Sequence, residues 1–199
     1  MNQRINSNQP GDTCMSEMIA RTKRLMIRTL DETDYETVLP LLKEGTIASQ
    51  YADQQVLLEE FAYRVWKRII ANDYNGLIFL VENNEFCGRV CMQDVENPIP
   101  ELGIDILKKH QNNGYGPEAI RAFANWYGEK HGIKLLKVRI FQSNSHSIHV
   151  FEKLGARFEG PHSFFPDDVV MSIKESFPDL ETKAPFTYYL DLPIITNNR

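Results

Sequence analysis

The chain has 199 residues, 42% of them apolar, with 22 Lys and Arg against 27 Asp and Glu for a formal net charge of −5. At about 100–200 residues per domain this is one domain with its own core, and the acidic balance leaves no footprint for sequence-independent nucleic-acid binding. The longest apolar run, Leu77 to Val81, is far short of the ~20 residues that span a bilayer, and residues 1–20 hold no signal-peptide core, so a cytoplasmic protein without membrane association is expected.

Residues 1–22 are rich in Asn, Gln and Ser with a Pro10-Gly11 turn pair, and they are expected to form a flexible tail ahead of a domain at 23–199. Leu25 to Leu30 alternates as a first strand. Thr33 to Glu36 has capping-box spacing, and Val38, Leu41 and Leu42 give a short helix its apolar face, with an irregularity expected at Pro40. Leu58, Phe61, Ala62, Val65, Trp66, Ile69 and Ile70 recur at three- and four-residue spacing, predicting a second helix that Asn75-Gly76 closes. Leu77 to Val81 then reads as a buried strand, Asn83-Asn84 as a turn and Phe86 to Asp94 as the hairpin partner. After Pro98 and Pro100, the alternation of Leu102, Ile104 and Ile106 marks a fourth strand that runs into the polar stretch from Lys108 to Gly116.

From Pro117 the period becomes helical: Ala119, Ile120, Phe123, Trp126 and Tyr127 share a face, and Gly132 lies just past the end. Lys137 to Phe141 makes a fifth strand. Asn144 or Ser145 caps a helix carrying Ile148, Phe151 and Leu154, which Gly155 stops. Arg157 to Glu159 and Phe186 to Leu192 read as two closing strands. The polar segment 166–184 between them, with a short helix at Val169 to Met171, is expected to be functional or mobile. The order describes a mixed α/β sheet with hairpins in the middle and helical crossovers late. Cys14, Cys87 and Cys91 match neither zinc-site spacing nor an even disulfide set, and read as free thiols.

Chemistry concentrates in Gln111-Asn112-Asn113-Gly114-Tyr115-Gly116-Pro117, where a strand ends and a helix begins. The two glycines clear side chains from the turn, so that successive backbone N–H groups can face an anion such as a diphosphate. Taken alone, such a turn reads equally well as a plain connection. Walker-type nucleotide binding requires Lys and then Ser or Thr directly after the last glycine, where Pro117 and Glu118 stand. The dinucleotide fingerprint requires a glycine at Asn112.

In its Gln-x-x-Gly-x-Gly pattern this segment resembles the acyl-CoA pyrophosphate loop of the GNAT superfamily of N-acetyltransferases. Asn144 through Gly155 resembles that family's second signature, an Asn followed by a helix ending in Glu-Lys-Leu-Gly. Glu101-Leu102-Gly103-Ile104 is similar to the strand start of the branch that includes ribosomal-protein amino-terminal, spermidine and some antibiotic acetyltransferases. The likeness runs from about Arg24 to Leu192. It implies a single-domain GNAT-like acyltransferase fold: a mixed, mostly antiparallel sheet flanked by helices and splayed between the fourth and fifth strands. It also implies acetyl-CoA as donor, an amine acceptor and no metal, with homodimers common among such proteins. The backbone amides from Asn112 through Pro117 would hold the pyrophosphate, with Gln111 shaping the turn and Pro117 lacking an N–H to give. The pantetheine arm would pair with Ile104, Asp105 and Ile106, an arrangement akin to adding a strand. Asn144 would contact CoA while also serving as a helix N-cap.

Acetyl transfer to an amine needs a neutral nucleophile, a polarised carbonyl and a proton for the departing thiolate. Backbone N–H groups near Ile104 to Ile106 are the expected polarisers, and Glu101 is the expected base, the alternative being a surface carboxylate at a strand edge. Some relatives carry a base on the fifth strand, where Arg139 stands here. Many place a Tyr, the thiolate's proton donor, at the position of Phe151; Tyr115, His146 and His149 are the conceivable substitutes, while His110 is expected to be exposed. The acceptor pocket is expected to draw on the first two helices, residues 45–55 and the loop after Phe165. Asp53, Glu59, Glu60, Asp167 and Asp168 could attract a cationic amine, and Tyr51, Phe164 and Phe165 could line the pocket, whereas Trp66 reads as core. The reading is an acetyl-CoA-dependent N-acetyltransferase acting on a primary amine of a small molecule or a protein N-terminus; the alternative is a non-catalytic acyl-CoA-binding module of the same fold.

Overall fold

The structure, a computed structural model, describes residues 16–44, 55–71, 74–161 and 185–195. One sheet runs through these residues, with strands β1 (Met18–Arg21), β2 (Leu25–Thr29), β3 (Tyr74–Leu80), β4 (Phe86–Gln93), β5 (Glu101–Ile106), β6 (Leu135–Ile140), β7 (Arg157–Pro161) and β8 (Phe186–Asp191). Their spatial order is β1-β2-β3-β4-β5-β6-β8-β7. Among these strands every neighbouring pair is antiparallel except β5 and β6, which are parallel and joined through a helix. The helices are α1 (Tyr35–Glu44), α2 (Gln55–Ile70), α3 (Tyr115–His131) and α4 (Ser145–Lys153).

Side chains alternate across a strand, so a sheet covered on both sides reads as a continuous apolar run. β3 shows this: Ile78 and Leu80 join the core built with α3, α4 and β6, while Leu77 and Phe79 join a second core built with Val38 and Leu42 of α1 and Ala62, Trp66 and Ile69 of α2. Trp66 is core, as its place on the helical stripe predicts. Among the described residues no helix is long and apolar enough to cross a membrane.

Three local expectations are corrected. Met18–Arg21, inside the segment expected to be a tail, forms an edge strand paired with β2. The cap ahead of α1 is Asp31 rather than Thr33: Asp31 accepts from the Thr33 N–H, while the Asp34 carboxylate accepts from the Asp31 N–H and takes both arms of Arg28. Asn75-Gly76 lies within β3. Asn75 still closes α2, but from the strand, its side-chain amide donating to the Ile69 carbonyl at 2.8 Å. The short helix expected at Val169 to Met171 lies outside the described residues, as do Tyr51, Asp53, Phe164, Phe165, Asp167 and Asp168.

Candidate functional site

β5 and β6 pair at Glu101 and Lys137, with the Lys137 N–H donating to the Pro100 carbonyl, and no register pair follows. Backbone polar groups alternate sides along a strand. Because the Pro100 carbonyl faces β6 and the Leu107 N–H donates to Cys87 of β4, the N–H groups of Ile104 and Ile106 point into the widening gap. Asp105 is paired with Arg89 of β4 and reaches the same space with its side chain, whose carboxylate accepts from the Arg89 guanidinium at 2.9 Å. The expected splay is therefore present, and it opens onto a cleft of about 710 Å³.

The loop between β5 and α3 forms one wall. The Gln111 side-chain amide donates to the Ile106 carbonyl at 2.9 Å, tying the turn to the strand end. Asn112 and Gly114 hold positive φ, at 62° and 74°. Asn113 turns its side chain back onto the His110 and Gln111 carbonyls, and does not line the cleft. Gln111, Asn112 and Gly114 do line it, followed by Tyr115, Gly116 and Pro117 of the first turn of α3.

Gly116 is the telling residue of the set. It has no positive φ, and a Cβ added there would meet only Ile106 Cγ1, at 3.9 Å. Glycine inside a helix costs about 1 kcal/mol relative to alanine, and neither the backbone nor the packing of this chain requires it at this point. The space a side chain would occupy adjoins the cleft, beside the N-terminus of a 17-residue helix, where backbone N–H groups and the helix dipole favour an anion.

The opposite wall is α4. Asn144 caps it, its side chain accepting from the Ser147 N–H at 3.1 Å, and also lines the cleft. Phe151 is buried and closes the wall, so no phenol stands at that position. Tyr115, His146 and His149 all border the cleft, the two histidines exposed. Lys108, Arg121 and Lys153 border it as well. Arg121 follows Pro117 by four residues, one helical turn, which is the signal that could have placed it there.

Glu101 is not a surface carboxylate: it is 7% exposed and sits on the sheet face opposite the α3 core. Its Oε2 accepts from Arg139 at 2.6 Å and lies 3.5 Å from the Lys137 ammonium. Arg139, the basic residue on β6, is thus its ion-pair partner. His110, expected to be exposed, is 8% exposed, because the short 3₁₀ turn Lys108–His110 folds its ring against Tyr115 and within 3.3 Å of the Glu85 carboxylate. Glu59 and Glu60 are exposed on α2. Among the described residues no group of His, Cys, Asp and Glu is arranged to hold a metal ion.

The sequence model of the acetyltransferase (GNAT) domain matches residues 24–157. YkkB of Bacillus subtilis, an uncharacterized protein, is 24% identical over 144 residues, which are 69% of this chain and 84% of the relative. A GNAT-family acetyltransferase from Bacillus anthracis superposes with a TM-score of 0.62 at 22% identity, covering 88% of this chain and 96% of that one. RimL, a ribosomal alpha-N-protein acetyltransferase solved in complex with coenzyme A, superposes with a TM-score of 0.65 at 18% identity, covering 90% of this chain and all of that one.

Proposed function

The chain belongs to the acetyltransferase (GNAT) family, and from that premise we propose that it transfers the acetyl group of acetyl-CoA to a primary amine by direct attack in a ternary complex. The observation that carries the reading is the vacancy at Gly116, beside a helix N-terminus and continuous with the β5–β6 gap. A pyrophosphate fits the first feature and an extended amide-bearing arm the second, so CoA is a single ligand that uses both. Its anionic end rests on backbone N–H groups, with Lys108, Arg121 and Lys153 adding positive charge at the border of the cleft. Ile104 and Ile106 offer their N–H groups to the pantetheine, and the one nearest the thioester polarises its carbonyl.

The amine enters from the sheet face shared by Glu101 and Asp105. The contacts Glu101 makes to Arg139 and Lys137 run through Oε2, which leaves Oε1 to take the proton of the incoming ammonium. With Phe151 in the wall, the CoA thiolate leaves without a phenol's help, which a thiol of pKa about 8.5 tolerates. Asp105, 54% exposed on its side chain, favours a cationic acceptor.

Calorimetry with CoA and a thiol-release assay over amines, polyamines, aminoglycosides and amino-terminal peptides test this directly. CoA binding and acceptor-dependent thiol release are expected, and Glu101→Gln should lower kcat by about 100-fold. Absence of CoA binding overturns the whole reading. Binding without thiol release from any amine favours the non-catalytic acyl-CoA-binding module, the alternative that Phe151 supports.

A further inference from the structure

Arg24 stands between β1 and β2, far from the loop in sequence, and its backbone is held by the sheet through a hydrogen bond from the Val81 N–H to its carbonyl. Its guanidinium spends its donors on one place. Nη1 donates to the Asn113 carbonyl at 2.9 Å, Nη2 to the Gly114 carbonyl at 3.3 Å, and Nε to Glu118 Oε2 at 2.7 Å, while the cation lies 4.9 Å from the Tyr115 ring centroid.

A trans peptide is planar, and its N–H points opposite to its C=O. The carbonyl of Asn113 shares a plane with the N–H of Gly114, and the carbonyl of Gly114 with the N–H of Tyr115. A guanidinium that grips both carbonyls from outside therefore holds both N–H groups facing the other way, toward the cleft that Gly114 and Tyr115 line. Arginine's rigid fork suits two adjacent acceptors in a way that a lysine's point charge does not. Glu118 neutralises the cation beside a helix N-terminus and is itself steadied by the Thr22 hydroxyl at 2.5 Å.

Resting on the CoA reading above, we propose that Arg24 is a positioning residue for the cofactor: it presets the Gly114 and Tyr115 N–H groups for the pyrophosphate without touching it. Isothermal titration of CoA, and of pantetheine, which lacks the pyrophosphate, tests the assignment on wild type, Arg24→Gln, Arg24→Lys and Thr22→Val. Arg24→Gln should weaken CoA about tenfold, the scale of one charge-assisted hydrogen bond, and leave pantetheine unchanged. The acetyl-CoA KM should rise with kcat held. Arg24→Lys keeps the cation and one contact, should lose part of the affinity, and carries the test if the Gln variant does not fold. Thr22→Val loosens the same staple without freeing the carbonyls, so it should lower the melting temperature and keep CoA affinity. Wild-type CoA affinity in both Arg24 variants, or an equal loss of CoA and pantetheine, overturns the role of Arg24 alone. Failure of the wild type to bind CoA overturns the CoA reading with it.

Discussion

Gly114 and Gly116 look alike in the sequence and act differently. Gly114 carries a φ of 74°, a backbone conformation that side chains resist. Gly116 has ordinary helical backbone and open space around an added Cβ, so its glycine serves the cleft. Gly116→Ala should therefore leave the melting temperature unchanged or raise stability by up to about 1 kcal/mol, while weakening CoA by about tenfold or more; paired melts and titrations check it. An alanine that lowers stability without changing CoA affinity would count against the pyrophosphate seat. The sequence shows both glycines, but φ and free space are properties of the folded turn. The same holds for Glu101, whose pairing with Arg139 across β5 and β6 spans 38 positions and leaves no local signature.

At the level of elements, strand and helix periods are legible where buried positions recur against more exposed ones, as in α3 and β6. They failed where short-range signals serve long-range partners. Asn75-Gly76 has the composition of a stop, yet Gly76 lies where β3 passes under α3, and a Cβ there would come within 2.8 Å of Ile27 Cγ2 and 3.3 Å of Phe123 Cδ2. Gly76→Ala should accordingly destabilise the fold by about 1–3 kcal/mol, the usual cost of overpacking a filled core, measured by denaturant unfolding. β1 was hidden for a different reason: an edge strand of 4 residues is too short to show a period, and it is its register with β2 that orders it. Asp31 displaced Thr33 as cap because the Asp34 carboxylate, anchored by Arg28, completes the reciprocal pair.

Across the whole molecule, the β1–β2 turn, the loop and α3 are bound together through Arg24 and the Glu118 carboxylate, and this gives the fold an acid limit. Burial alone would raise the Glu118 pKa, but the hydrogen bonds from Thr22 and Arg24 outweigh it and hold the carboxyl below its ordinary value of 4.5. The stabilisation is thus fully present above that value and is lost as pH falls through the lowered one. Asp31, through its bonds from Thr33, and Glu85, through Lys109, are lowered as well. Melting temperatures recorded from about pH 7 to about pH 3 should fall at the acid end, and Glu118→Gln should show a shallower fall from a lower starting point.

The sequence by itself determined the mixed sheet, the order of most elements and the loop on which the chemistry is proposed to rest, because apolar period, helix caps and glycine spacing act over a few residues. Only the tertiary structure decided that the splay between β5 and β6 begins directly after Glu101, that Glu101 is buried against Arg139, and that Arg24 turns the loop's carbonyls away from the cleft. Those features arise from contacts between residues far apart in the chain, whose geometry exists only once the sheet has closed around them.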